Sequence, residues 1–206
     1  MHLTNYAINK MNPNFVFNTS EKNMGVGHKR SLSFVLGQLE KAGHDVVGMK
    51  QKMKDIVIKT LLTGMPLIAH QYRYCQPEEY SGNMCFHILG LDIMLTDKFE
   101  PILLEVNHTP SFTTDTPLDH HIKSKLIKDT LVLMNINIEM KKQLFQKAKE
   151  CNSERLYTGK RRIFQGKNKE EEIQKSQQQR DEYEQANMGG YERIHPTSDP
   201  ELNKKY

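Results

Sequence analysis

The sequence predicts an α+β protein in which an antiparallel pair of strands packs with helices. Residues 84–95 and 100–107 are apolar segments of strand length, and the short turn TDKF separates them. Strands joined by so short a turn pair in antiparallel fashion. Before and after this pair, apolar residues recur every three or four positions, as they do along the buried face of a helix. These two observations together predict the α+β class.

The first forty residues are predicted to contain a strand, a loop and a helix. Residues 1–9 have the pattern of a short strand, whereas residues 10–30 are rich in Asn, Gly and Lys without helical periodicity, which favours an extended loop. From Ser31 onward, leucine and valine side chains fall on one helical face. This helix is expected to end at Gly43, because glycine commonly follows the last turn of a helix.

The middle of the chain is predicted to hold a second helix, the strand pair and a third helix. A helical apolar stripe begins near Met49, and we expect it to end at the Gly-Met-Pro sequence that contains Pro66, because proline interrupts a helix. Residues 84–95 are apolar on both faces, which is typical of a buried central strand. Thr116 followed by Pro117 is the pattern of a helix N-terminus.

Past residue 137 the composition becomes polar. Residues 138–167 combine a few apolar side chains with many lysines and are predicted to form a basic helical extension. Residues 168–206 begin with an almost entirely polar stretch, which is typical of a solvated helix or a disordered tail. The predicted organisation is therefore one domain over residues 1–137, followed by these two segments.

Composition and charge argue against several classes of protein. The three cysteines, Cys75, Cys85 and Cys151, lack the spacing of metal ligands, which fits a reducing cytoplasmic compartment. No apolar run approaches the roughly 20 residues that a membrane span needs, and the start lacks the apolar segment of a signal peptide. The net charge of +4 is modest for 206 residues. We therefore expect neither a nucleic acid nor a membrane as partner, whereas an acidic protein partner is compatible with this charge.

Three polar side chains within the apolar strands suggest a metal site. Glu105 and Asn107 lie two residues apart and therefore leave the same face of a strand. If Leu95 pairs with Glu100, Asp92 lies diagonal to Glu105 on that face. Two carboxylates and an amide oxygen are donors that suit Mg²⁺. A shift of one residue would put Asp92 on the other face, and the alternative is three polar residues on the solvent side of a hairpin.

Several segments taken together resemble the tubulin tyrosine ligase-like family. FHILGLDIML and PILLEVNHTPSFTTDTPLD are similar to two strands of that family's nucleotide site, which carry Gly-Phe-Asp and then Leu-Leu-Glu-Val-Asn with Pro-Ser-Phe behind. HLTNYAINK, DIVIKTLL and HQYRYC are similar to other family segments, so the resemblance runs from residue 2 to roughly residue 140. Leu91 stands where the family usually has Phe. The sequences of these segments are most similar to those of the glutamylases.

The resemblance implies an ATP-grasp fold, of which this chain would be the C-terminal part, and it implies roles for particular residues. Asp92, Glu105 and Asn107 would hold Mg²⁺ beneath the phosphates of ATP. Thr4 and Asn5 would help to hold the incoming amino acid during the acyl-phosphate chemistry. For Thr4 and Asn5 the residues alone leave a simpler alternative open, namely a strand start with a capping Asn.

The resemblance also implies contacts to the substrate. Lys29 and Arg30 would lie on a loop that faces an acidic protein. Apart from the resemblance, His108 is a candidate for direct substrate contact because it is a lone histidine that flanks the apolar strands. The alternatives are that both basic residues are simply solvated and that His108 is a core or supporting residue.

The activity that the resemblance implies is ATP-dependent addition of glutamate to the acidic C-terminal tails of tubulin. The chain would act as a monomer in the cytoplasm, on the cytoskeleton, and in the cilium, axoneme or basal body. The lobe that carries the ATP-binding lysines is expected before His2, so the chain is expected to be an incomplete catalytic domain, inactive by itself. Two alternatives remain open: a tubulin glycylase, and a non-catalytic protein that binds microtubules through its basic C-terminal helices.

Overall fold

The computed structural model describes residues 6–19, 25–76, 85–136 and 167–197, together with single residues and pairs between 138 and 156 and residues 203–204. The four continuous ranges contain five helices and two strands, which confirms the predicted α+β class. In chain order they are α1 (Tyr6–Asn9), α2 (Leu32–Lys41), α3 (Val46–Cys75), β1 (Gly90–Leu95), β2 (Pro101–Asn107), α4 (Pro117–Leu133) and α5 (Lys167–Ala186). Among these helices, none is both long enough and apolar enough to cross a membrane.

The chain divides into two compact units. The first comprises Met1–His70, His87–Lys125 and Arg193–Tyr206, and the second comprises Gln71–Phe86 and Leu126–Glu192. Helices α3 and α4 contribute residues to both units. The segment boundaries at residues 137 and 167 stay predictions.

The strand predicted over residues 1–9 is wrong for residues 6–9, which form the single helical turn α1. Local contacts accompany the helical turn: the Lys10 N–H donates to the Tyr6 carbonyl at 3.0 Å, and the Tyr6 ring packs on Phe15. The Phe15 ring lies edge-on to Tyr6, with 6.1 Å between ring centroids, and stacks on His28 at 5.2 Å. The chain therefore turns back on itself directly after α1.

Helix α2 begins and ends as predicted, whereas α3 does not. The Ser31 hydroxyl accepts the Phe34 N–H at 3.2 Å and so caps α2, and Gly43 follows its last turn with a left-handed φ of 87°. Helix α3 continues through Pro66 to Cys75, so the predicted end at residues 64–66 is wrong. Pro66 is exposed. The carbonyl that loses its partner four residues earlier can therefore bond water, and one lost hydrogen bond does not end the helix.

The core of the first unit is small and lies between α2, α3 and the hairpin. Leu36, Val46 and Met49 are buried in it, and Leu95 and Phe99 of the hairpin pack against them. In this way the hairpin is held at its turn end by the helices.

Strands β1 and β2 form an antiparallel two-stranded sheet within the described residues. The face that carries Leu91, Ile93 and Leu95 is half-buried, and the opposite face is largely exposed. The prediction of a buried central strand over residues 84–95 is therefore wrong. Among the described residues 85–95 only Gly90–Leu95 forms a strand, because the ladder ends where Gly90 pairs with Asn107, and Phe86 before it is 58% exposed.

Helix α5 is polar along its length, and its C-terminal end is attached to α4. The prediction of a solvated helix or a disordered tail is resolved here in favour of a helix over Lys167–Ala186. The Tyr183 hydroxyl donates to the carbonyl of Val132 at 2.9 Å, and the same carbonyl accepts the Asn135 N–H at 3.1 Å, so Tyr183 adds a second hydrogen bond at the end of α4.

The residues after α5 complete this attachment, which we call the C-terminal clamp (Tyr183 and Gly189–Tyr191). The Gly190 N–H donates to Asp129 Oδ2 at 2.9 Å, and the hydroxyls of Tyr191 and Thr130 lie 2.6 Å apart. Gly189 adopts a left-handed φ of 58°, and a Cβ there would lie 2.6–2.9 Å from the Asp129 carboxylate. A glycine is therefore required at this position by both conformation and space.

Candidate functional site

The hairpin turn sets the register of the two strands. Leu95 pairs with Pro101, which leaves the five residues 96–100 to connect the strands. The Thr96 N–H donates to the Glu100 carbonyl at 3.0 Å, and Phe99 adopts a left-handed φ of 59°. The pairing of Leu95 with Glu100, on which the predicted site geometry depended, is therefore wrong by one residue.

A β-bulge places Asp92 on the same face of the hairpin as Glu105. An odd connection of five residues would place Asp92 opposite Leu104 and away from Glu105. The register shifts between Asp92 and Ile93, so that Leu104 is the extra residue and Asp92 pairs directly with Glu105. The two carboxylates are therefore directly opposite and not diagonal, while the predicted sharing of one face holds in the structure.

The three predicted metal ligands lie together on this exposed side of the hairpin, which we call the acid face (Asp92, Glu105 and Asn107). Asn107 pairs with Gly90 at the end of the ladder, and its Nδ2 donates to Glu105 Oε1 at 3.2 Å. Since the amide nitrogen is used in this way, the amide oxygen is the atom that Asn107 could offer to a cation.

The electrostatics of the acid face are those of two carboxylates that repel each other. The pKa of Asp92 is raised above its ordinary value, because its carboxyl group is partly desolvated, shares a hydrogen bond with Glu105 and feels the negative charge of Glu105. A divalent cation between the two groups would relieve this repulsion. The raised pKa of Asp92 is the effect expected of two facing carboxylates that have no cation between them.

The donor set fits Mg²⁺. Two carboxylates and one amide oxygen are hard oxygen ligands, and Mg²⁺ commonly takes only a few protein ligands and keeps its other positions for water and phosphate. In the described part of the chain there is no cluster of three or more His, Cys, Asp or Glu side chains that could hold a metal. A softer, fully protein-enclosed metal centre is therefore not formed by these residues.

The rest of this exposed side of the hairpin, beside the acid face, is apolar. Met94 and Ile102 pair across the strands next to Asp92 and Glu105, and they are 40% and 45% exposed. At the other end, a Cβ on Gly90 would lie 3.3 Å from the Pro110 side chain, so Gly90 allows the segment after β2 to approach β1 closely. The exposed side of the hairpin thus offers polar and apolar surface side by side.

The predicted substrate residue His108 follows directly after the acid face, and its side chain is exposed. Its carbonyl is 2.6 Å from Nε2 of His87, whose N–H can donate to it. The sequence pattern does not indicate His87, because His87 precedes β1 whereas His108 follows β2. The two residues meet only in the fold. Substrate contact by His108 stays a prediction.

The predicted loop residues Lys29 and Arg30 have partners within the fold. Lys29 Nζ lies 2.6 Å from Asp119 Oδ1, and Arg30 Nε donates to the Gly27 carbonyl at 2.9 Å. Arg30 also borders an open cavity of about 450 Å³ with Val16, Gly27 and His28. Contact of this loop with a substrate stays a prediction.

The other predicted site residues, Thr4 and Asn5, lie outside the described residues. The sequence-based roles given to them therefore stay predictions as well.

Known proteins similar to this chain point in one direction. The model of the tubulin-tyrosine ligase family matches residues 1–144. A probable beta-tubulin polyglutamylase of Tetrahymena thermophila is 52% identical over 201 residues, which is 98% of this chain and 17% of the relative. Tubulin polyglutamylase ttll6 of Danio rerio is 38% identical over 206 residues, 100% of this chain and 26% of the relative. Tubulin polyglutamylase TTLL13 of Homo sapiens is 39% identical over 209 residues, 100% of this chain and 25% of the relative.

The chain thus spans about a quarter or less of the length of these curated relatives. The family match covers β1, β2, the acid face and α4, and it confirms the ATP-grasp-like fold that the resemblance predicted. With more than half of its residues matched by the family model, the chain belongs to the tubulin-tyrosine ligase family.

Proposed function

We propose that the acid face binds the Mg²⁺ of Mg-ATP in an enzyme that ligates glutamate to tubulin. The observation that carries the proposal is the direct pairing of Asp92 with Glu105, with Asn107 beside them on the same exposed face. The reaction and the substrate are taken from the similar proteins, which are tubulin polyglutamylases. As the chain covers only part of those relatives, both are proposals for the whole protein.

The proposed reaction has two stages. A carboxylate of the acceptor protein attacks the γ-phosphorus of ATP, which releases ADP and forms an acyl phosphate. The amine of free glutamate then attacks the acyl carbon, phosphate leaves, the amine loses a proton, and an amide bond results. When bound, Mg²⁺ would neutralise the charge of the phosphate oxygens.

This chain's own residues would bind and orient the reactants. The cation would be held by the acid face. Beside it, the exposed side chains of Met94 and Ile102 would offer an apolar surface to the uncharged part of the nucleotide. A fixed cation and a fixed nucleotide lower the barrier chiefly by positioning and electrostatic stabilisation.

A basic surface would provide the attraction to acidic tubulin tails. Lys141, Lys142 and Lys149 are exposed residues of the predicted basic extension, and the described residues between 138 and 156 are helical. The remaining basic residues of that prediction, Lys147, Lys160, Arg161 and Arg162, lie outside the described residues. Such attraction falls off within about 8 Å at physiological ionic strength, so it should be sensitive to salt.

The proposed activity is tested by incubating the full-length protein with microtubules, Mg-ATP and one of glutamate, glycine or tyrosine. Mass spectrometry of the tubulin tails should show added glutamate only, and only when Mg²⁺ and ATP are both present. Addition of glycine instead would replace the proposed function by the glycylase alternative. Binding to microtubules without any addition would favour the non-catalytic alternative.

A further inference from the structure

Lys29 is bound to a buried carboxylate. Its Nζ lies 2.6 Å from Oδ1 of Asp119, whose side chain is 6% exposed, whereas the Lys29 side chain is 38% exposed. The other carboxylate oxygen, Oδ2, accepts the Thr116 hydroxyl at 2.9 Å, and the Asp119 N–H donates back to that hydroxyl at 3.2 Å. Both oxygens of this buried carboxylate therefore have a partner, and Lys29 supplies the only full positive charge within ion-pair distance among the described residues.

The protonation state of Asp119 reflects this pairing. Burial by itself raises the pKa of the carboxyl group, but the hydrogen bonds from Lys29 and Thr116 and the positive charges of Lys29 and Lys123 outweigh it, so that the pKa is lowered. The Asp119 carboxyl group is thus ionised at neutral pH.

The same ammonium group reaches a second element. Lys29 Nζ lies 4.6 Å from the centroid of the Tyr6 ring, which is the geometry of a cation–π contact. One side chain on the loop before α2 therefore contacts both α1 and the first turn of α4.

The first turn of α4 in turn holds the segment that follows the acid face. Thr116 caps α4, Lys123 Nζ donates to the Thr113 carbonyl at 2.5 Å, and Pro110 packs closely over Gly90. The path from Asn107 to α4 is thus fixed at three successive points. A displacement of the α4 N-terminus would be passed to Asn107 through this segment.

We propose that Lys29 is a positioning residue that locks α1 and the start of α4 to each other and thereby fixes the segment leading from Asn107. This proposal rests on the proposed function of the acid face. It gives Lys29 a different role from that of a mobile cation for an acidic substrate, because the ammonium group is already committed to a buried carboxylate. Without Lys29, Asp119 would be a buried charge with no ion-pair partner and only the more distant charge of Lys123, so the first turn of α4 would be expected to move toward water.

The test is a double-mutant cycle in the full-length protein, with Lys29→Met, Asp119→Asn and the two together. Each single variant should lower kcat for glutamate addition by about tenfold, a size typical of a small misplacement of reacting groups, and should leave KM for tubulin nearly unchanged. The double variant should be no slower than the slower single variant, because both substitutions break the same contact. Lys29→Arg, which keeps the charge, should recover most of kcat.

The opposite pattern would overturn the proposal. If Lys29 serves the substrate directly, Lys29→Met raises KM for tubulin, Asp119→Asn is near wild type, and the two effects multiply.

Thermal unfolding of the same variants separates this proposal from the proposed function. If the wild-type protein adds no glutamate to tubulin, the proposed function fails, and the lock is then judged by the melting temperatures alone. Non-additive losses of melting temperature, with rescue by Lys29→Arg, support the lock, and additive losses refute it.

Discussion

Replacing Asp92 by Asn removes one of two facing carboxylates and should make the metal-free protein more stable. Asp92 and Glu105 are direct cross-strand partners, and like charges in such positions cost about 0.2–1 kcal/mol. Solvent screens an exposed pair, so we expect the lower part of this range at physiological salt. For a chain of this length 1 kcal/mol corresponds to about 2–4 °C in melting temperature. The variant should therefore melt up to about 2 °C higher than the wild type at pH 7.

The contribution of Asp92 to the stability of the wild type should also depend on pH. Because the pKa of Asp92 is raised in the folded state, the folded protein binds this proton more tightly than the unfolded chain does. Wild-type stability should therefore fall as the pH rises from the ordinary Asp pKa through the raised value, and this fall should be absent in Asp92→Asn. The stability gain of the variant should accordingly vanish at low pH, where the carboxyl group of the wild type is protonated.

Magnesium should reverse the order of the two proteins. A ligand at 100 times its dissociation constant stabilises the folded state by about 2.7 kcal/mol. The wild type should gain this stability, and Asp92→Asn should gain little. Circular dichroism melts of the 206-residue chain, with and without Mg²⁺, measure both effects. Asp97→Asn is the matched control, since Asp97 is an exposed acid in the hairpin turn. A metal-free Asp92→Asn that melts below the wild type, or that gains as much from Mg²⁺, would refute the reasoning.

Three further predictions concern other parts of the molecule. In the full-length protein, Glu105→Ala should abolish Mg-ATP-dependent glutamate addition without lowering the melting temperature of the metal-free protein, because the residue is exposed and faces another carboxylate. Near-normal activity would remove the acid face from the mechanism. Lys141→Glu combined with Lys142→Glu should weaken microtubule co-sedimentation, and the wild-type binding should itself fall steeply with added salt; salt-insensitive binding would mean that these lysines only solvate a helix. Gly189→Ala should destabilise the chain by about 1–3 kcal/mol, since it combines a left-handed φ with a clash against a carboxylate. Gly37→Ala, in α2 with open space around it, should instead stabilise the chain by about 0.5–1 kcal/mol. Equal effects of the two substitutions in urea unfolding would contradict the clamp.

Local chemistry explains which features were predictable from the sequence. The cap residues Ser31 and Thr116 and the terminating Gly43 act within a few residues of their own position, so the sequence pattern was sufficient to place the helix ends. Pro66 was misleading, because the cost of one missing hydrogen bond is decided by the exposure of the helix, which the local pattern does not contain.

The acid face was predictable in composition but not in geometry. Residue types and spacing gave Asp92, Glu105 and Asn107 as a set. The pairing that brings them together depends on two compensating features, the five-residue turn and the extra residue Leu104, neither of which has a distinct sequence signal. The contact between Lys29 and a carboxylate far along the chain was likewise not accessible to a local pattern.

The C-terminal clamp has a consequence for cleavage of the chain between α4 and α5. Thr130 uses its hydroxyl proton on the Leu126 carbonyl at 2.7 Å, so Tyr191 must be the donor in their 2.6 Å contact, and the return of the chain is held by directed bonds. Residues near 130 and residues near 190 are therefore held together by contacts as well as by the chain between them. If a protease cleaves between α4 and α5, these contacts remain, and each hydrogen bond contributes about 0.5–1.5 kcal/mol to the attraction between the two pieces.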